Sequence, residues 1–499
     1  MGKRMMHSAL ATTLFLLIPL TVAAQSIENN GGASASYGSI ATPRPINPAA
    51  STTNPSARAT QTLNPYLGST PDGKVIDGEI KLSLEDAVAR GLQYNLGLID
   101  SQQTDAGARA QREHALAALL PQISARAEQT YEQLSFKELN IKVPPQVGFQ
   151  LPPTSGGFGF SESRIVAESP LVNMELLNRY KAQKALESAS ILSTKDSRDV
   201  VVFAVGAAYF QVVASQARLD TSQAALTSAR ELNEQVTNQY KSEVSPEIDA
   251  LRAKVELRTA EQRVVDAAND LEKDKLTLDR ITGISLEQSW APSGEYEYAP
   301  LANQDGEATH ALETRSDVAS VREEVAAAEL SLKAARAQRL PTVSVEANYG
   351  GAGANPANYN QVYTVSGVIS VPLFTSGRIR SDVHQADAAL VQRRAESRDL
   401  EGRVAYDVRV AQLDAKASES AVKVAAENRG LAERALTQSQ DRFNNGVTNY
   451  LEVLQAQEAL ENAKENYIAS LFSFNVAKIS LARALGSSET RLSAFFSTK

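Results

Sequence analysis

An α+β architecture of long helices and two strand pairs, duplicated within one chain, is the fold class this sequence predicts. Three observations carry it. A heptad seam runs through the last long segment, with small residues on one line (Ala456, Ala463, Ser470, Ala477, Ala484) and large ones on the other (Leu460, Tyr467, Phe474, Leu481). Small residues let a neighbouring helix approach closely while the large ones fill the space between. The same frame recurs about 203 positions earlier, as Ala253, Ala260, Ala267, Asp274 and Ile281 against Leu257, Val264, Leu271 and Leu278. Finally, no proline occurs between 71 and 121, between 170 and 246, between 246 and 292, or after 372. An interior proline costs a helix about 3 kcal/mol, so these gaps leave room for very long helices.

Taken in order, the chain opens with Lys3 and Arg4 before an apolar run from Ala9 to Ala24, and Val22-Ala23-Ala24 offers small residues for cleavage. Residues 1–24 therefore read as a secretory signal peptide. Residues 25–78 are rich in Pro, Ser and Thr and bury too little apolar surface to fold alone, which predicts a disordered linker. Order is expected from Leu82, where Ser83 can cap a helix continuing through Tyr94 towards Leu119. No stretch after the signal reaches the ~20 apolar residues of a spanning helix, so a membrane crossing would have to be made of strands.

The strand pairs lie between helices. Pro341 opens one in which Val343, Val345, Ala347 and Tyr349 alternate with Thr342, Ser344, Glu346 and Asn348. Its partner alternates Tyr363, Val365, Gly367, Ile369, Val371 and Leu373 with Thr364, Ser366 and Ser370. That pattern suits a lipid-facing barrel strand and equally a half-buried strand of a soluble sandwich. Pro121 opens the earlier pair and Ser163–Leu171 returns. Pro372 follows Pro170 by 202 positions whereas Pro341 follows Pro121 by 220, so the first hairpin loop is longer by 18 residues. Phe149, Phe158 and Phe160 are placed in that loop. The helices from Met174 to Val244 and from Arg378 to Asn444 would each measure about 100 Å. They bridge a distance rather than fill a globule.

The resulting organisation is a first repeat at 79–283, a joining segment at 284–310, a second repeat at 311–486 and a tail at 487–499. Four strands per chain cannot close a barrel, and open edges cannot face lipid. The chain must oligomerise, and three copies would supply twelve strands.

Composition narrows the function. The formal charge of −8 becomes −10 without the N-terminal segment, which disfavours nucleic acid as a partner. The absence of cysteine excludes disulfides, thiolate metal sites, cysteine nucleophiles and N-terminal cysteine lipidation. His7, His114, His310 and His384 are mutually distant and lack partners at metal-ligand spacing. The run Gly350-Gly-Ala-Gly353 leads to Asn-Pro rather than into a helix, so it is not a phosphate cradle.

Several short motifs occur in one order: Leu84-Glu-Asp-Ala with Asn95, Arg315-Ser-Asp-Val, Ala334-Ala-Arg-Ala-Gln-Arg-Leu-Pro341, Val371-Pro-Leu-Phe-Thr-Ser-Gly-Arg378, and Arg442-Phe443 with Gly446, Val453-Leu454, Ala456 and Leu485-Gly486. Over nearly everything after residue 80 the chain resembles the TolC-like outer-membrane efflux protein family. Two positions depart from it: Leu96 stands where the family usually has Pro, and Glu243 where the first turn usually has Gly. The resemblance implies a homotrimer with a 12-stranded barrel in outer-membrane lipid, continuous with a periplasmic α-helical coiled-coil tunnel. It implies an exit duct joined through a periplasmic adaptor to an inner-membrane transporter, with no cofactor and no catalysis.

By motif position the family's periplasmic acidic ring falls on Asp249 and Glu452, while Gln455 stands where some members carry a second acid. Three copies of each acid around a narrow pore would favour cations and relax on protonation. Ordinary capping accounts for the same residues, since Ser245 and Thr448 are good N-caps and first-turn acids suit the helix dipole. Adaptor docking is implied at Val244, Gly446 and Val447. Gly377 reads as a bend from strand to helix, and Trp290, Tyr296 and Tyr298 as packing in a belt around the tunnel. Adaptor proteins place one helical hairpin between β-rich domains, so the alternative of a non-channel periplasmic coiled-coil protein fits two full helix–strand copies poorly.

Overall fold

The computed structural model describes residues 64–71, 75–136, 152–293, 298–300 and 308–489. The predicted signal peptide, most of the predicted linker, Phe149, Tyr296 and the end of the tail lie outside the described residues.

A short strand β1 (Ile80–Leu82) leads into α1 (Leu84–Tyr94), capped as predicted by Ser83, whose hydroxyl accepts from the Asp86 N–H at 3.1 Å. The predicted continuous helix breaks at Asn95, and α2 (Leu96–Ala117) starts afresh. Asn95 is fully buried; its side-chain oxygen accepts from Gly97 N at 3.0 Å while Nδ2 donates to the Tyr66 carbonyl at 2.8 Å. A short polar side chain that bonds its own backbone competes with helix continuation.

The same junction explains the departure at Leu96. Its N–H donates to the Gly68 carbonyl at 2.9 Å, a bond proline cannot make. Residues 64–71 are thereby pinned to the repeat, and Tyr66 also meets the Ser197 hydroxyl at 3.0 Å. Within the predicted linker, residues 64–71 are thus tied down by one aromatic and a few backbone bonds.

Leu119 and Leu120 lead through Pro121 into the strand pair β2 (Gln122–Ser135) and β3 (Thr154–Val172). Helix α3 (Met174–Lys241) follows, then α4 (Glu247–Thr282), β4 (Trp290–Pro292) paired parallel with β1, and α5 (Ala308–Thr314). The second repeat comprises α6 (Ser316–Ala337), β5 (Thr342–Gly353), β6 (Asn360–Ser370), α7 (Arg378–Asn444) and α8 (Tyr450–Ala484). Gly377, at φ 85°, makes the predicted bend into α7.

The predicted seams are the packing surfaces. Leu460, Ala463, Phe474, Ala477, Leu481 and Ala484 are buried on α8, as are Ala253, Ala260, Leu271, Leu278 and Ile281 on α4. The largest core gathers Leu84, Val88, Val201, Val205, Tyr209, Leu278, Trp290 and Ile479 from both repeats. Helix α3 holds one window apolar enough by composition to cross a membrane, contrary to the sequence reading, but half of that window is buried in the protein. Helix α8 packs closely on α3 at Gly206, where an added Cβ would lie 2.5 Å from the Ile479 Cδ1 and force that side chain to shift.

The strands form one antiparallel sheet in the order β2-β3-β5-β6. Register puts Ile123, Ala125, Ile165, Ala167, Val343, Ala347, Tyr349, Tyr363, Val365 and Ile369 on one face. That apolar face is uncovered: Tyr363 is 77%, Val365 71% and Ile369 71% exposed. The opposite face carries Arg126, Glu128, Glu162, Arg164, Glu168, Glu346 and Asn348.

One expectation about the first hairpin is corrected. Phe158 and Phe160 lie in β3, not in a loop, because the first pair is longer than the second. Pairing of β3 with β5 stops at Ser161–Gly353, whereas pairing with β2 continues through Thr130–Phe160 and Glu132–Phe158 to Ser135–Thr154.

Candidate functional site at the helical tip and on the polar sheet face

Both tips are built by the same backbone device. After α3, Glu243 N–H donates to the Tyr240 carbonyl and Val244 N–H to the Gln239 carbonyl, each at 2.9 Å. After α7, Gly446 bonds to Phe443 and Val447 to Arg442, again at 2.9 Å. This double bond closes a helix when its next residue is left-handed, and Glu243 (φ 61°) and Gly446 (φ 71°) both are. The glutamate leaves the first turn's shape unchanged and pays the side-chain penalty of about 1 kcal/mol for that conformation.

The predicted caps are displaced by one residue. Pro246 precedes α4 with no side-chain cap, and Asn449 caps α8 by accepting from the Glu452 N–H. Thr448 instead turns its hydroxyl to the Glu452 carboxylate. Arg442 holds the same carboxylate with its Nε at 3.2 Å.

Asp249 sits differently. It is 6% exposed, with Arg252 Nη1 at 3.3 Å one turn along α4. Around it Leu232, Val236, Ala253, Phe443, Tyr450 and Val453 form a small core that joins the two helical hairpins. Burial, with Glu256 and Asp249 adding negative potential, pushes the Tyr450 hydroxyl up to about 12. Val244 and Val447 are 75% and 65% exposed at the ends of their turns. Each predicted acid thus has a basic neighbour within its own chain, Asp249 inside the hairpin contact and Glu452 at the turn.

Sequence reasoning missed the clasps above the tip. Arg263 of α4 pairs with Glu461 of α8, and Arg218 Nε of α3 reaches Glu465 of α8 at 2.9 Å. Burial raises the Glu461 carboxyl, and Arg263 opposes that shift. Their signal was present: Glu461 directly follows a large seam residue, and Arg263 directly precedes one.

The described residues of the joining segment pack against the helices. Trp290 is buried and its Nε1–H donates to Asp279 at 2.8 Å; burial pushes that carboxyl up to about 7. The Tyr298 hydroxyl donates to Glu419 at 2.9 Å, and its ring lies 5.6 Å from Phe474. Lys478, driven down to about 8 by burial, donates to the Ala299 carbonyl at 2.7 Å. On the polar sheet face Arg126 meets Glu128 at 2.6 Å and Arg164 meets Glu162 at 2.9 Å. Among the described residues no group of three His, Asp or Glu is arranged to hold a metal ion.

A protomer with an uncovered apolar sheet face, a charged opposite face and 100 Å-class helices running to paired tips is one segment of a membrane channel extended by a helical tunnel. The family model "Outer membrane efflux protein" matches residues 92–284 and 308–487, and the chain belongs to that family. It is an outer-membrane efflux channel subunit, of a family of channels rather than enzymes. Outer membrane protein TolC of Vibrio cholerae is 25% identical over 394 residues, covering 74% of this chain and 82% of that protein. Solvent efflux pump outer membrane protein SrpC of Pseudomonas putida is 22% identical over 341 residues, covering 63% and 68%. The solved structure of VceC from Vibrio cholerae aligns at a TM-score of 0.69 and 19% identity, covering 81% of this chain and 96% of that one.

Proposed function

We propose that three copies close one twelve-stranded barrel and one helical tunnel, forming the exit duct of an efflux or secretion assembly. The observation that carries this reading is the sheet: one apolar face, one charged face, and two edges, β2 and β6, unpaired among the described residues. Because the four strands alternate in direction, β6 of one copy can pair antiparallel with β2 of the next, which removes every edge.

The helices support the same closure. Helix α4 exposes Ile248, Leu251, Val255, Val265 and Leu276; α7 exposes Leu413, Val424 and Leu431. Counting ~1.5 Å per residue up from each turn sets Val265 level with Val424 and Leu276 level with Leu413. The two stripes meet when α4 of one copy lies beside α7 of the next.

In this assembly the tips form the periplasmic entrance. Asp249 and Glu452 make its acidic gate, held by Arg252 and Arg442, and exposed Val244 and Val447 with Gly446 receive a periplasmic adaptor that links the duct to an inner-membrane transporter. The signal peptide exports the chain to the outer membrane. Neutralising Asp249→Asn and Glu452→Gln together is expected to raise conductance or lower cation preference; unchanged values of both would reduce the acids to capping. The test of the assembly is the native mass of the mature protein extracted from outer membrane in detergent. Three times the chain mass supports it, and a monomer released without detergent contradicts it.

A further inference from the structure

The first strand pair outgrows the sheet that holds it. Pairing of β3 with β5 ends at Ser161 and that of β5 with β6 at Ala352–Asn360, which stands level with Glu162 and Glu128. Past that level only β2 and β3 remain paired, a two-stranded ribbon running roughly 20 Å further along the strand. A two-stranded ribbon is marginal alone in water, so its own apolar surface must find a partner.

The ribbon's faces differ sharply. Period-two alternation carries Phe158 and Phe160 onto the same face as Arg126, Glu128, Glu162 and Arg164, the charged face of the sheet. Gly157 and Gly159 occupy the other face, where the Tyr131 ring lies over Gly159; a Cβ there would sit 3.3 Å from it. Below the ribbon, the charged face carries the acids Glu128, Glu162, Glu168 and Glu346. On the ribbon, two half-exposed phenylalanines join that face, Phe160 opposite Thr130 and Phe158 opposite the one remaining acid, Glu132.

We propose that the three ribbons of the trimer lean together above the barrel, with Phe158 and Phe160 of each copy meeting on the pore side as an apolar exit constriction. This rests on the trimeric barrel reading, which makes the charged face the lumen. Burying six rings against one another stabilises ribbons that have no sheet to support them. Gly156, at φ 70°, and the glycines beside each phenylalanine leave the ribbon end free to bend inward. An apolar ring over an acid-rich wall resists water and small ions while attracting cations that carry aromatic groups. The constriction is distinct from the acidic tip, at the opposite end of the duct.

The chain has no cysteine, so single thiols can be placed without background. Trimers carrying Phe160→Cys and trimers carrying Tyr131→Cys are inserted in planar bilayers and treated, on the ribbon side, with a charged water-soluble thiol reagent. Phe160→Cys channels are expected to lose current in steps, up to three per trimer, while Tyr131→Cys channels keep theirs. In a second measurement, Phe158→Ser with Phe160→Ser is expected to raise conductance and weaken block by tetraphenylphosphonium about 3-fold, the loss of one modest cation–aromatic contact. Conducting Phe160→Cys trimers that react without change in current, or a double variant with unaltered conductance and block, would overturn the constriction and leave the barrel standing. Failure of the wild-type protein to form any channel would overturn both.

Discussion

The two repeats share a frame and differ in what hangs from it. Their turns have the same hydrogen bonds and the same left-handed residue, yet one uses Glu243 and the other Gly446. Their returning helices bury the same seam, but α4 starts after an uncapping Pro246 and α8 after a capping Asn449. Their strand pairs share a sheet, but the first runs to 14 and 19 residues and the second to 12 and 11. Buried seam positions are constrained by packing on two sides, whereas turns and strand ends face solvent or another copy. Divergence has collected where only a backbone shape must be kept.

Substitutions at equivalent positions sharpen this contrast. Phe474 on α8 corresponds to Leu271 on α4, and both are buried. Phe474→Ala is expected to cost about 4 kcal/mol and Leu271→Ala about 3, read from unfolding of the detergent-solubilised protein. A cost below 1 kcal/mol at either would show that its seam is not packed. Smaller effects belong to the turns. Glu243→Gly should stabilise by about 1 kcal/mol and Gly446→Ala destabilise by a similar amount, since only glycine adopts this conformation freely. Equal responses in sign would mean the two turns are not alike. Asn449→Ala should cost about 1 kcal/mol through lost capping, with no counterpart at Pro246.

The smallest expected signal is a titration. Trp290 is the sole tryptophan, and it donates to Asp279, whose folded pKa near 7 lies far above its ordinary value. A raised carboxyl means the folded state binds the proton first, so stability rises as pH falls from about 7 towards 4 and levels off below. Tryptophan emission should titrate near pH 7 and stop doing so in Asp279→Asn. Emission flat across that range in the unaltered protein would contradict the assignment.

Most of the fold was legible because long-range order here is written in short-range periodicity. The seam through Ala463 and Phe474 gave the helices, Pro121 and Pro341 their ends, and alternation through Val343–Tyr349 the strands. The break at Asn95 was not legible, since a buried asparagine announces itself only through Tyr66 and Gly97 around it. Nor was the length of the first hairpin, because Gly157-Phe158-Gly159-Phe160 reads as loop composition until the register with β2 is known. At the tip, Asp249 and Glu452 were reached through the family resemblance, with first-turn capping as the competing reading. Their separate environments, one inside the Tyr450 core and one held by Arg442, depend on how two hairpins meet and have no sequence period.

The central claim, that copies join through the α4 and α7 stripes as well as through strands, is tested most directly by Val265→Cys combined with Val424→Cys in this cysteine-free chain. Mild oxidation of the membrane-inserted protein is predicted to give covalent dimers and trimers on a denaturing gel and nothing larger. Monomers alone, or a ladder that continues past three, would contradict it.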